Sequence, residues 1–326
     1  PYTTLFRSGN GIIGIIRLDS FYQGENGVTS EKDVRDAIAE LQQKGNLRGL
    51  ILDLRENSGG FLTQAVKVAG LFITNGVVVI SKYSNGEERY YRDMDGKVSY
   101  EGPMIILTSK ATASAAEIVA QALQDYGVAL IVGDEQTYGK GTIQSQTVTD
   151  DDGKNSYFKV TVGKYYTVSG KTPQLEGVKA DIVVPGPYSF EVFGEEYLDN
   201  PVSEDTIDPA YHDSLKDIDP GLRPWYLRYY MPTLQSKSQE LKKELVGLKK
   251  NSSYRIANNK NYQLFLKSKE QGKEGSSLGS ENFGKEDPQL HETINIAKDM
   301  IVFESKLGET ANASDTTAIT PISPRY

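Results

Sequence analysis

Two short blocks carry residues that could do chemistry together. Thr112-Ala113-Ser114-Ala115-Ala116-Glu117 opens an apolar helix, and Gly139-Lys140-Gly141-Thr142-Ile143-Gln144 follows the next strand. A serine hydroxyl at a helix start lies beside unpaired N–H groups and the positive end of the helix dipole, which favour an alkoxide and the oxyanion of a tetrahedral intermediate. The plainer fate of Ser114 is a helix cap. A lysine serves as general base only if burial strips the proton from its ammonium near neutral pH, and the glycines flanking Lys140 let it enter a tight pocket. The plainer fate of Lys140 is a solvated turn. If residues 140–144 are extended, Lys140 and Gln144 project from one face, and the Gln144 amide could accept from the amine and orient it. The only histidines are His212 and His291, far downstream in segments that read as peripheral, so a histidine-based triad is hard to build.

A third block, Asp53-Leu54-Arg55-Glu56-Asn57-Ser58-Gly59-Gly60, leaves a buried strand through paired glycines. Such a turn brings backbone N–H groups close to a ligand, so Gly59 or Gly60 is a candidate second oxyanion donor beside the Ala115 N–H. The bland alternative has Asn57 or Ser58 capping the next helix and Asp53 and Arg55 as surface charges. Asp125, in Gln124-Asp125-Tyr126-Gly127, is an accessory electrostatic candidate or a structural aspartate before a glycine stop. No Gly-x4-Gly-Lys-Ser/Thr phosphate loop is present. A Ser-x-x-Lys pair of the penicillin-binding type is excluded, because Glu117 stands three residues after Ser114.

The elements that must position these residues follow from periodicity. Apolar runs at 11–18, 50–54, 76–82, 104–108 and 128–132 predict buried strands, alternating with helices over 30–44, 61–73 and 114–126. Alternation of this kind predicts an α/β core with parallel strands. Residues 88–102 predict a polar hairpin or excursion turning at Asp95-Gly96, and the period-two pattern of 143–169 predicts antiparallel strands closing one end of the core. The core is expected over 11–188 and a mainly helical C-terminal region over 189–267, with a basic amphipathic helix within 221–250 carrying Leu241, Leu245 and Leu248. A Gly/Ser/Glu/Lys-rich flexible linker is expected at 268–286, a last helix at 287–307 with Leu290, Ile294, Ala297 and Ile301 on one face, and a disordered tail at 308–326.

Composition sets outer bounds. The 326 residues are 38% hydrophobic and 25% charged, enough for a full core with appendages. A net charge of −8 argues against nucleic acid as a partner. With no cysteine, disulfides, thiolate metal sites and cysteine nucleophiles are excluded. No apolar run reaches the length that spans a bilayer. Residues 1–8, Pro-Tyr-Thr-Thr-Leu-Phe-Arg-Ser, read as the translated end of a sequencing adapter, so 1–10 is expected to be a non-native or linker segment.

In order and combination, the three blocks, with Val178-Lys179-Ala180-Asp181-Ile182 and the helix at Glu292-Thr293-Ile294-Asn295-Ile296-Ala297, resemble the C-terminal processing peptidases, especially the long tail-specific protease branch of bacterial periplasms. The resemblance spans roughly 11–306. It implies a ClpP/crotonase-like α/β core with a mixed sheet, followed by a mainly helical C-terminal domain. It implies Ser114 as nucleophile, Lys140 as base, Gln144 as its orienter, and Ala115 with Gly59 or Gly60 as oxyanion hole, with no metal or cofactor. The activity implied is endoproteolysis of unfolded or C-terminally tagged polypeptides from apolar C-termini, in periplasmic quality control, with an adaptor lipoprotein and peripheral membrane association as further partners. Two positions depart from the family pattern: Ala116 stands where many relatives carry a second serine, and Ser58 where a third glycine is common. The PDZ domain that precedes the core in this family is not found upstream of residue 11, and truncation of that domain and of a signal peptide is the expectation. The competing reading is a non-catalytic ligand- or protein-binding member of the same fold, against which the joint presence of Ser114, Lys140 and Gln144 argues.

Overall fold

In the computed structural model, the structure describes residues 1–151, 154–271 and 287–315, with side chains described outside 147–156 and 306–315. The apolar runs pair as strands β1 (Tyr2–Ser8), β2 (Gly11–Arg17), β3 (Leu47–Asp53), β6 (Met104–Thr108), β7 (Leu130–Gly133) and β10 (Ile182–Val183). They form one six-stranded sheet in the order β1-β2-β3-β6-β7-β10, parallel from β2 to β10. A second sheet, β5-β4-β9-β8, is antiparallel throughout: β4 (Gly76–Tyr83), β5 (Glu88–Asp93), β8 (Thr142–Asp151) and β9 (Lys154–Thr167). The α/β class with a mixed sheet and a helical C-terminal part is the one the sequence leads to.

Alternate side chains of the parallel strands point to opposite faces. Ile12, Ile16, Leu50, Leu52, Ile106 and Ile131 pack against helices α1 (Ser30–Lys44), α2 (Leu62–Gly70) and α3 (Ala115–Tyr126) and against β4 of the second sheet. Ile13, Ile15, Ile51, Ile105, Leu107 and Val132 face the other way. They are covered by Leu248 of α5 (Glu240–Asn258), Tyr262 and Phe265 of α6 (Lys260–Glu270), and Ile294, Ala297 and Ile301 of α7 (Pro288–Asp315). The region beyond 189 is therefore the outer layer of the same core. Burying the sheet's second face is what makes it so, since a bare parallel sheet would leave a row of isoleucines in water.

Several expectations shift. Strand 76–82 belongs to the antiparallel sheet, because its neighbour β9 is supplied from far along the chain. Residues 1–10 join the main sheet: β1 pairs with β2 from Tyr2↔Arg17 to Ser8↔Gly11, through backbone bonds that any sequence can make, and its side chains stay largely exposed. In 88–102 only β5 is a strand. Within 221–250 the chain makes a single turn, α4 (Arg223–Trp225), and a π turn at Tyr226–Tyr230 before α5 begins at Glu240. The expected linker at 268–286 begins inside α6, and its 272–286 part lies outside the described residues. The helix expected to stop at 307 continues to Asp315; the rest of the expected tail, 316–326, lies outside the described residues.

Candidate active site

The carboxyl ends of β3 and β6 meet at one place, where both strands turn into helices. Thr112 Oγ1 donates to the Leu54 carbonyl at 2.8 Å and the Ala113 N–H to the Asn57 carbonyl at 3.0 Å, so the turns before α2 and α3 are laced together. Asn57 is fully buried. Its Nδ2 donates to the Leu18 carbonyl and its Oδ1 accepts the Gly59 N–H, each at 2.9 Å. The cap expected of Asn57 or Ser58 is not formed: Phe61 takes the cap position before α2 with no side-chain bond, and Asn57 holds the glycine turn instead. Asp53 and Arg55 are not surface charges either. Asp53 is buried and takes a two-point contact from Arg55, whose Nη1 reaches Asp287 at 2.7 Å, just before α7.

Ser114 sits at the tip of the second turn with φ +58° and ψ −119°, a conformation L-residues rarely adopt, and is half-buried. Strain of this kind is held only where the surroundings fix it. Gly59 packs directly beneath: a Cβ there would stand 2.9 Å from Ser114 Cβ and 3.1 Å from the Ala115 nitrogen. Gly60, at φ +141°, has no room for one against the Phe21 carbonyl oxygen at 2.1 Å. The Ala115 N–H begins α3 and, as a first-turn donor, has no helical carbonyl to pair with.

Glu117 joins the serine to the lysine. It is completely buried, and both its oxygens are used: Oε2 accepts the N–H groups of Ser114 at 2.8 Å and Lys140 at 2.9 Å, while Oε1 accepts the Thr137 hydroxyl at 2.5 Å and the Gly139 N–H at 2.7 Å. The Ser114 and Lys140 backbone nitrogens thus sit on one oxygen atom and are no farther apart than those two bonds end to end. Burial pushes the Glu117 carboxyl up to about 7, against the pull of its four donors. The lysine turn is pinned on its other sides as well. The Gly141 N–H donates to Oε1 of buried Gln174 at 2.9 Å, the Leu175 N–H to the Gly139 carbonyl at 2.9 Å, and the Tyr165 hydroxyl to the Lys140 carbonyl. Lys140 is half-buried, and its Nζ has no hydrogen bond or ion pair among the described residues.

The other sequence candidates fall differently. Gln144 is exposed in β8; the ladder slips between Ile143 and Gln144, and Lys140 precedes the strand, so the simple alternation that would align the two side chains does not hold. No hydrogen bond joins Gln144 to Lys140 among the described residues. Asp125 lies at the far end of α3, roughly 15 Å from its start at about 1.5 Å per residue, where it accepts from Thr167 Oγ1 at 2.5 Å and Gln121 Nε2 at 2.9 Å. Both histidines are exposed. Sequence reading passed over Glu117, Tyr165 and Gln174. Only the first left a signal, since Ser-x-x-Glu at a helix start is the capping-box pattern. Here that carboxylate reaches the Ser114 N–H as the box requires, and the lysine turn besides.

Residues 12–184 match the pattern of peptidase family S41, slightly more than half the chain, and the chain belongs to that family. The tail-specific protease of Haemophilus influenzae is 36% identical over 211 residues, covering 63% of this chain and 29% of that protein. The carboxy-terminal processing protease CtpA of Bacillus subtilis is 37% identical over 172 residues, 52% of this chain and 34% of that one. Among solved structures, the photosystem II D1 C-terminal processing protease is 35% identical with a TM-score of 0.46, covering 53% of this chain and 42% of that one. The chain spans about a third of the length of these curated relatives.

Proposed function

We propose that the chain carries the catalytic core of a serine endopeptidase in which Ser114 is the nucleophile and Lys140 the general base. The observation that supports this best is the shared Glu117 oxygen, which ties a strained helix-start serine to a lysine whose amine has no partner among the described residues. As Ser114 Oγ bonds to the scissile carbonyl carbon, its proton passes to the neutral Lys140 amine and the carbonyl electrons move onto oxygen. The resulting ammonium then gives the proton to the departing amine as the C–N bond breaks, and water, activated by the same lysine, releases the acyl group. With the Gly59 N–H engaged by Asn57, the Gly60 and Ala115 N–H groups are the proposed oxyanion donors. Gln144 orients Lys140 in this scheme only if substrate turns its exposed amide inward.

The names of the relatives support cleavage directed to the tail or C-terminus of polypeptides; to this the proposal adds unstructured chains with apolar C-termini as substrates, cell-envelope quality control in the periplasm as the setting, and an adaptor lipoprotein and peripheral membrane contact as partners. The test is cleavage of an unfolded polypeptide with an apolar C-terminus by the 326-residue chain. Ser114→Ala, Lys140→Ala and Lys140→Arg should each abolish it, the last because a guanidinium stays protonated. Turnover by any of the three at near wild-type rate overturns the assignment. Absence of turnover by all four proteins, with folding intact, would favour the ligand-binding alternative.

A further inference from the structure

The first turn of α7 reaches the ends of β3 and β7, where both strands turn into the candidate site. Gln289, in that turn, is 1% exposed. Its Nε2 donates to the Val184 carbonyl at 2.8 Å and to Asp134 Oδ1 at 3.3 Å, and its Oε1 accepts from Arg55 Nη1 at 3.3 Å. A guanidinium only donates, and a carboxylate and a carbonyl only accept, so the amide fits in this orientation alone. Both charged partners lead into the site. The Arg55 carbonyl accepts the Ser109 hydroxyl, which ties the turn carrying Gly59 and Gly60 to the turn carrying Ser114. Asp134 is completely buried: Oδ2 accepts the Lys110 N–H of the serine turn at 3.0 Å, and Oδ1 also accepts the Gly186 N–H at 2.8 Å and the Ser189 hydroxyl at 2.5 Å. Three residues on from Asp134, Thr137 meets Glu117 and with it the lysine turn.

We infer that Gln289 is a positioning residue of this site: by spanning Arg55 and Asp134 it fixes the spacing of the glycine, serine and lysine turns without touching substrate. The inference rests on the Ser114–Lys140 reading. The proposed oxyanion donors, Gly60 and Ala115, stand on two of these turns, so their separation is what the amide sets. Without the amide, Arg55 keeps Asp53 and Asp287, and Asp134 keeps its three other donors. Both buried charges stay paired, and the loss falls on the link between them.

Gly186 offers a way to move the amide without changing Gln289. A Cβ there would stand 2.5 Å from Gln289 Oε1 and 2.6 Å from its Nε2, the far end of a flexible side chain. The test measures cleavage of an unfolded polypeptide by the full chain, Gln289→Ala, Gly186→Ala and the double variant, at a temperature where circular dichroism shows each folded. Gln289→Ala should lower kcat roughly ten- to hundredfold, as small displacements of reacting groups do, with KM within twofold because a buried side chain does not meet substrate. Gly186→Ala should lower kcat in the same way. In the Gln289→Ala background it should lower kcat no further, since the side chain it pushes is gone. A purely structural role would lower the melting temperature and leave kcat of the folded variants at the wild-type value. That result, a raised KM with unchanged kcat, or additive losses in the double variant overturn the inference alone. If Gln289→Ala does not fold, Gly186→Ala decides, and an unchanged kcat in it overturns the inference. A wild-type chain without turnover overturns it together with the proposed function.

Discussion

Replacing Glu117 by glutamine changes one atom at the centre of the site, and its cost can be worked from the four bonds. The carboxylate faces three backbone N–H groups, of Ser114, Gly139 and Lys140, and one hydroxyl, that of Thr137, whose oxygen already accepts the Val178 N–H at 2.8 Å. Glutamine offers one acceptor oxygen and an NH2. The least damaging placement puts the oxygen against Ser114 and Lys140 and turns the NH2 to Thr137 Oγ1, which leaves the Gly139 N–H facing a donor. One buried unpaired N–H costs about 1–3 kcal/mol. If that is relieved by displacement of the lysine turn, it appears in the rate as roughly a ten- to hundredfold loss, at about 1.4 kcal/mol per factor of ten. The pH dependence offers a second check. Burial raises the Glu117 carboxyl to about 7, and its charged form is the one that holds the two turns, so the wild-type rate should fall on the acid side of an inflection near 7 that Glu117→Gln lacks. The assay is phosphonate labelling of Ser114 from acid to alkaline pH, with thermal unfolding as the control. A folded Glu117→Gln chain that reacts within twofold of wild type, with the same acid limb, would refute the clamp.

Gly59→Ala should lose labelling and destabilise the chain by roughly 1–3 kcal/mol, since the new methyl would stand 2.9 Å from Ser114 Cβ at φ +111°; a fully reactive variant would show that Gly59 does not support the serine. Arg55→Met leaves Asp53 buried without its partner and frees Asp287, so denaturant titration should show a loss of about 3–5 kcal/mol and limited proteolysis faster cutting at α7; unchanged stability and protection would contradict this. Asp93 has one oxygen buried without a hydrogen bond, and burial, with the Asp95 charge, raises its carboxyl from 3.8 to about 7. The folded state thus holds a proton that the unfolded state gives up, and the stability this group provides is complete below about 3.8 and lost as the pH rises to about 7. Asp93→Asn should melt higher than wild type at pH 8 and the same below pH 4; a constant difference across that range would contradict the sign.

Much of the fold was legible because apolar runs such as Met104–Thr108 have one physical use, as buried strands, and because Gly45 and Gly127 mark where helices stop. Which strand pairs with which was less so. Residues 76–82 look like a parallel-core strand, and only β9, more than seventy residues on, makes them part of an antiparallel sheet. The apolar face of the last helix was legible as a face, whereas the layer it covers depends on which isoleucines of β2, β3 and β6 point its way. At the site, Ser114 and Lys140 stand out by residue type and by the glycines and apolar helix around them. Tyr165 and Gln174 do not, since a tyrosine in a strand and a glutamine in a loop acquire their partners through tertiary pairing. Arg55 was misjudged for the related reason that a charged residue at a strand end is usually solvated, and here Asp53 and Asp287 replace the water.

The central claim is that Ser114 is made nucleophilic by Lys140. Its most direct measurement is the intact mass and peptide map of the chain after reaction with a dialkyl fluorophosphonate at pH 8, for wild type and Lys140→Ala side by side. The account predicts a single adduct on Ser114 in the wild type and none above background in Lys140→Ala. An adduct on another residue, or equal labelling of Ser114 in the two proteins, would contradict it.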